Sequence, residues 1–232
     1  MLFCKAPSPV EVYNDLDDDL INFFSVLRDP KMFPDFYNRA WLTPYSRREF
    51  EFCRDNLNSD PNPVERARRF FCLARFSYGG QLCSFAFNVS SSKNGMTQRV
   101  AACRSVLCML PMISERLSTI EIENNDFRKI LKTYDRPETL FFLDPPYLHE
   151  TRKSDKYYRH EMTREDHEEL IGILKNIQGK AILSGYPSEL YESLGWKKES
   201  WEVNCNIIDG MKIDEHTTKE RRKRTECVWL NF

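Results

Sequence analysis

The chain has 232 residues, 41% of them hydrophobic and 30% charged, with a net charge of -1. That is enough apolar content for one large domain, or a domain plus a lobe, and the charge balance excludes a globally basic nucleic-acid binder, so any such site must be a local patch. Eight scattered cysteines with no Cys-x-x-Cys pair, and four histidines away from ligand spacing, argue against a disulfide framework or a zinc site, while the lack of a signal peptide or a membrane-length apolar run points to a cytoplasmic protein.

Residues 1–9 read as the tail of an element followed by an Ala-Pro-Ser-Pro turn. Val10-Glu11-Val12-Tyr13 alternates and is rich in β-formers, which predicts a strand. Asn14-Asp15 follows, then apolar residues at helical spacing over 16–27 (Leu16, Leu20, Phe23, Phe24, Leu27), with Asp17 or Asp18 as the cap. A carboxylate just past a sheet strand is a common ligand for ribose hydroxyls. Asn and Asp also make turns for their own sake, so Asn14 and Asp15 fit either role.

From 30 to 117 the pattern is helical and strongly charged. Arg47-Arg48-Glu49-Phe50 and Arg66-Ala67-Arg68-Arg69-Phe70-Phe71 mix basic side chains with rings, and a polar loop runs through Ser90-Ser91-Ser92-Lys93-Asn94-Gly95. Such a mixture suits phosphate contact and adaptable base reading. It equally suits a solvated helical lobe whose arginines pair with neighbouring glutamates. A last helix spans about 96–117. Residues 118–122 read as a second strand, and Asp126-Phe127 behind it offers an acceptor and a ring to an adenine, although Phe127 also suits a core.

Leu140-Phe141-Phe142-Leu143 is a short apolar run ended by Asp144-Pro145-Pro146-Tyr147. The run predicts a buried strand of a parallel sheet. It must stop there, because neither proline donates a backbone hydrogen bond and each pushes its predecessor out of the helical region. A carboxylate, two rigid residues and an aromatic ring therefore sit at the carboxyl end of a strand, where open α/β sheets bind ligands. An amino group on a planar heterocycle needs two acceptors and a ring to stack on, and this tetrad supplies them.

A polar, basic loop with Arg152, Lys153 and Lys156 comes next. A helix over 163–175 carries Asp166 at the capping-box position. Residues 180–186 read as a buried strand, 187–195 as a short helix, and 201–205 and 226–232 as closing strands around a basic loop, Lys219-Glu220-Arg221-Arg222-Lys223-Arg224. Alternating strands and helices imply an α/β sheet with one inserted helical lobe.

With these residues in view, the chain resembles the Dam-like, D12 class of amino-group DNA methyltransferases, whose signature is the Asp144-Pro145-Pro146-Tyr147 tetrad. The likeness includes Val10-Glu11-Val12-Tyr13-Asn14-Asp15, Ile122-Glu123-Asn124-Asn125-Asp126-Phe127, Ser184-Gly185-Tyr186 and Arg224-Thr225-Glu226-Cys227-Val228-Trp229-Leu230-Asn231. It implies a Rossmann-like methyltransferase sheet formed by residues 1–29 and 118–232, with 30–117 as a mainly helical target-recognition lobe. It implies transfer of methyl from S-adenosylmethionine to adenine N6 in double-stranded DNA, without a metal ion. Asp144, Pro145, Pro146 and Tyr147 would be catalytic, and Asn14, Asp15, Asp126, Phe127 and Asp144 would hold the cofactor. Arg47, Arg48, Arg69, Ser91, Lys93, Arg152, Arg222 and Arg224 are the expected DNA contacts. A restriction-modification or prophage setting fits the family. Cytosine N4 is the alternative target amine.

One family feature is missing. The Gly-Gly-Lys segment and Phe-x-Gly-Gly-Gly loop that grip the cofactor's methionine part do not occur here. The chain is therefore expected to be N-terminally incomplete, with a gap and exposed apolar surface beside 140–143. Three forms follow from that expectation: an inactive DNA-binding remnant, a truncated product, or half of an enzyme completed by a second chain.

Overall fold

A computed structural model describes residues 2–89, 92–93, 95–151, 159–204 and 223–232. They form a mixed α/β protein of two compact units, one up to Asn125 and one from Asp126 onward. Packing thus groups residues 1–29 and 118–125 with the predicted helical region.

In the first unit, strand β1 (Val12–Asn14) pairs in parallel with β4 (Glu121–Glu123), Tyr13 lying opposite Ile122. β1 starts two residues later than predicted. Val10 is exposed, and Glu11 turns inward to ion-pair with Lys5 and with Arg116. Helices α1 (Asp18–Arg28), α2 (Met32–Leu42), α3 (Arg47–Asn56), α4 (Pro63–Phe76) and α5 (Gln98–Leu117) make the body of the unit. Asp17 caps α1 by accepting from the Asp19 and Leu20 amides, and Ser46, Asn62 and Thr97 cap α3, α4 and α5 in the same way. Each cap satisfies amides that the first turn leaves unpaired. A short hairpin, β2 (Ser92–Lys93) with β3 (Met96–Thr97), precedes α5, so that helix begins after the predicted 96.

The core of this unit is aromatic. Phe23 meets Phe36, Phe70 and Phe71 at centroid distances of 5.6, 5.6 and 6.2 Å, and Val26, Leu27, Phe36 and Phe71 are buried. Such rings dominate burial energetics, and truncating one to Ala typically costs about 3–5 kcal/mol. Asp19 is fully buried against Arg66 at 2.6 Å, which ties α1 to α4.

The second unit holds a four-stranded sheet of order β5–β6–β8–β7. Strand β5 (Leu140–Leu143) runs parallel to β6 (Lys180–Gly185), while β8 (Lys223–Leu230) is antiparallel to both β6 and β7 (Lys197–Asn204). Helix α6 (Phe127–Tyr134) precedes β5, α7 (Arg164–Leu174) follows it, and the short α8 (Glu189–Glu192) follows β6. Thr163 and Asp166 form the predicted capping box on α7. Both closing strands start earlier than predicted, β7 four residues and β8 three, so that Lys223 and Arg224 belong to β8 rather than to the basic loop, and β8 ends at Leu230. Trp229, Tyr191, Leu174, Leu183 and Phe141 form the core.

β5 departs from its prediction. Only Phe141 is buried, whereas Leu140 and Phe142 are 57% and 46% exposed. β5 is the edge of its sheet, and among the described residues no strand pairs with its other side. The seven described cysteines are free thiols, four of them buried. Among the described residues no helix is long and apolar enough to cross a membrane.

Candidate active site

The second unit brings three sheet ends together. Leu143 pairs with Leu183, and one step further along that register Asp144 meets Ser184. The Ser184 hydroxyl lies 2.6 Å from Asp144 Oδ1 and 3.0 Å from the Leu143 carbonyl oxygen. Gly185 pairs with Cys227, and the next step along brings the Tyr186 and Glu226 stretches to the same end. Tyr147 donates its hydroxyl to Glu226 Oε2 at 2.9 Å, and its ring meets that of Tyr186 edge-on at 4.5 Å and 73°. Arg224 donates to the Tyr186 hydroxyl at 2.9 Å.

Asp144 is exposed, while Pro145, Pro146 and Tyr147 are half-buried. The Ser184 contact engages one carboxylate oxygen of Asp144, and Pro145 lies outside the described helices and strands. Behind this end lies a sealed layer. Tyr191 is 1% exposed, its hydroxyl sits 2.9 Å from His167 Nδ1, and burial, with the nearby Asp144 charge, pushes its pKa well up. Gly185 touches this layer so closely that a Cβ there would lie 2.7 Å from Tyr191 Cε2.

The predicted cofactor residues have these environments. Asn14 donates to the Asn125 carbonyl and accepts from the Asn125 amide, locking the turns that follow β1 and β4. Asp15, at the carboxyl end of β1, accepts from the Tyr13 hydroxyl and the Asp17 amide. In the second unit Asp126 caps α6 and pairs with Arg128, whose guanidinium covers one face of the Phe127 ring at 4.4 Å. Phe127 also packs partly into the core.

The predicted DNA contacts divide. Arg47 and Arg48 are exposed, and Arg47 lies over the rings of Phe85 and Phe87 at 4.9 and 5.5 Å. Arg69 is turned inward instead. It is 6% exposed and held by Glu65, Asp60, Ser59 and the Asn56 carbonyl, because its place on α4 faces the preceding loop. The Arg224 guanidinium serves Tyr186. Ser91, Arg152 and Arg222 lie outside the described residues, as does the side chain of Lys93.

The sequence reading missed Ser184, Tyr186 and Glu226 as site residues, although the match of Ser184-Gly185-Tyr186 to a strand end was the available signal. It also missed Arg99, which lies 5.2 Å over the ring of Tyr78, whose hydroxyl donates to the Phe87 carbonyl. Tyr78 and Phe87 are 40% and 50% exposed. With Arg47 they form an open cation and ring surface on the first unit.

The second unit of this mixed α/β protein thus gathers an exposed carboxylate, two prolines and a braced aromatic ring at the carboxyl end of β5. Residues 2–209 match the family described as D12 class N6 adenine-specific DNA methyltransferase, and the chain belongs to that family of DNA adenine-N6 methyltransferases. A search among curated proteins finds no match for it.

Proposed function

We propose that the site around Asp144 methylates adenine N6 in double-stranded DNA after the base leaves the duplex, with S-adenosylmethionine as methyl donor. The observation that carries this reading is Asp144 at the carboxyl end of β5, fixed on one oxygen by Ser184 and followed by two prolines and a clamped ring. Adenine N6 is a weak nucleophile because its lone pair is delocalised. Asp144 and the Pro145 carbonyl accept its two N–H bonds, which draws the nitrogen toward tetrahedral geometry and frees the lone pair. Asp144 then carries the proton that leaves the amine. Tyr147 stacks on the extruded base, which offsets part of an unstacking cost of a few kcal/mol by about 1–3 kcal/mol. Positioning and preset charge are the contributions of the protein.

The cofactor supplies an electrophilic methyl on a sulfonium. Asp15 suits its ribose hydroxyls, being an ionisable acceptor at a strand end with lone pairs beyond those it uses locally. Asn14 holds that turn. Asp126 and Phe127 suit the cofactor's adenine, with Arg128 already on one face of the ring. The parallel pairs β1–β4 and β5–β6 and the antiparallel closing strands are parts expected of a Rossmann-like methyltransferase sheet. The open edge of β5, with Leu140 and Phe142 exposed, favours a further strand carrying the glycine-rich cofactor loop, supplied by another segment or a second chain. Arg47, Arg48 and Arg99 on the helical lobe are the proposed phosphate contacts, and Tyr78 and Phe87 the base-stacking rings beside them.

The test is transfer of labelled methyl from S-adenosylmethionine to unmethylated DNA by the wild-type chain and by Asp144→Ala. Transfer by the wild type, a loss of about a hundredfold or more in the variant, and retained DNA binding support the reading, since the lost group acts only on the reacting amine. Near-normal transfer by Asp144→Ala overturns it.

A further inference from the structure

We infer that Glu226 is a positioning residue for Tyr147, and that Glu226, Tyr186 and Arg224 together set the plane of the ring on which the target base stacks. The inference rests on the reading above and names residues outside the tetrad. Tyr147 follows a strand that has already ended, and its side chain is braced from elsewhere in the sheet. The fixation comes from a different sheet end, 79 residues away in sequence.

The contacts act at two points. At the tip, the Tyr147 hydroxyl donates to Glu226 Oε2 at 2.9 Å. An ionised carboxylate only accepts, so the direction of this bond is fixed and it is charge-assisted. A phenol hydroxyl bonds close to the plane of its ring, so this bond itself lies over neither flat face. At mid-ring, Tyr186 meets Tyr147 edge to face, with 4.5 Å between centroids and 73° between planes. Tyr186 is held in turn by Arg224, which donates to its hydroxyl at 2.9 Å and lies 5.6 Å from its ring centre. Glu226 and Arg224 leave β8 on one face, two residues apart, while Cys227 and Trp229 point into the core and anchor the strand. The clamp therefore stands on a rigid, buried base. A ring free to turn would offer the base its edge, and both the stacking and the line of attack would be lost.

The experiment is a double-mutant cycle on the full chain, with Glu226→Ala, Tyr147→Phe, their combination and Glu226→Gln. Two quantities are read: the single-turnover rate of methyl transfer to unmethylated duplex DNA, and the DNA dissociation constant by fluorescence anisotropy. Glu226→Ala is expected to slow transfer about tenfold while DNA affinity stays within about twofold, because ring orientation matters to the reacting complex more than to duplex binding. Tyr147→Phe removes the same bond without touching β8 and is expected to show the same loss. The combined variant should be no more than about twofold slower than either single one, since one interaction cannot be removed twice. Glu226→Gln keeps an acceptor and should recover to within about threefold of the wild type. An unchanged rate in Tyr147→Phe, or losses that add in the combined variant, overturn the inference while leaving the methylation reading intact. A wild-type chain that transfers no methyl overturns both.

Discussion

Gly185→Ala tests whether the site and the core share one rigid base. Gly185 lies between Ser184, which holds Asp144, and Tyr186, which meets Tyr147. A Cβ at this position would stand 2.7 Å from Tyr191 Cε2, 3.3 Å from Cδ2 and 3.6 Å from Trp229 Cζ3. Ordinary contact begins near 3.4 Å, so the ring or the strand must yield by about 0.7 Å. The ring has little room. Tyr191 is 1% exposed, its hydroxyl is held at His167, and its ring stands perpendicular to the fully buried Trp229 at 5.2 Å. Overpacking of a site that cannot relax costs about 1–3 kcal/mol, and the upper half of that range is expected here. Whatever strain passes into β6 moves Ser184 and with it Asp144, and displacements of a few tenths of an ångström to 1 Å in a positioned group cost tenfold to about a hundredfold in rate. Urea unfolding followed by tryptophan fluorescence reads the first effect, since Trp196, Trp201 and Trp229 all belong to the second unit. Methyl transfer reads the second. A variant within about 0.5 kcal/mol of the wild type and equally active would show that Gly185 does not couple the site to the core, because that is the range of an ordinary surface substitution.

Other expectations follow from single contacts. Ser184→Ala removes the hydroxyl at 2.6 Å from Asp144; because the carboxylate is exposed and water can replace the bond, transfer should fall only about three- to tenfold, against near-abolition in Asp144→Ala. Arg47→Ala and Arg99→Ala should each weaken DNA binding and lower the slope of log affinity against log salt by about 1, whereas Arg69→Ala should leave that slope unchanged and destabilise the fold, since Arg69 is buried on Glu65. Glu11 is held from its ordinary 4.5 down to about 2, chiefly by the hydrogen bond from Lys5, with Arg116 adding to it. A depressed carboxyl stabilises the fold above its unfolded pKa and loses that contribution as pH falls from about 4.5 toward 2. The stability gap between wild type and Glu11→Gln should therefore be widest at pH 6, narrow below about pH 4.5 and close only toward pH 2 in urea titrations; a gap independent of pH would contradict it.

What could be read from sequence was local. The apolar run at 140–143, ended by two prolines, placed a strand and put Asp144 at its carboxyl end, because proline chemistry permits little else. The capping box at Thr163 was legible from local side-chain chemistry, and the cap of α1 was narrowed to Asp17 or Asp18, of which Asp17 serves. The remainder depends on register between distant segments. Nothing near Asp144 announces Ser184, and nothing near Tyr147 announces Glu226; both meet because β6 and β8 align there. Arg69 looked like Arg47 in composition, and only the packing of α4 turned one inward and left the other over exposed rings. The apolar run alone predicts a buried strand, but the exposure of Leu140 and Phe142 at the sheet edge agrees with the gap and exposed apolar surface expected beside 140–143.

The proposed role of Asp144 in methylating the exocyclic amine of adenine can be read from the reaction product. The most direct measurement is hydrolysis of DNA to nucleosides after incubation with the chain and S-adenosylmethionine, followed by chromatography against standards. Label on N6-methyladenine is expected with the wild type and none with Asp144→Ala. Label on N4-methylcytosine, or label on N6-methyladenine that survives Asp144→Ala, would contradict that role.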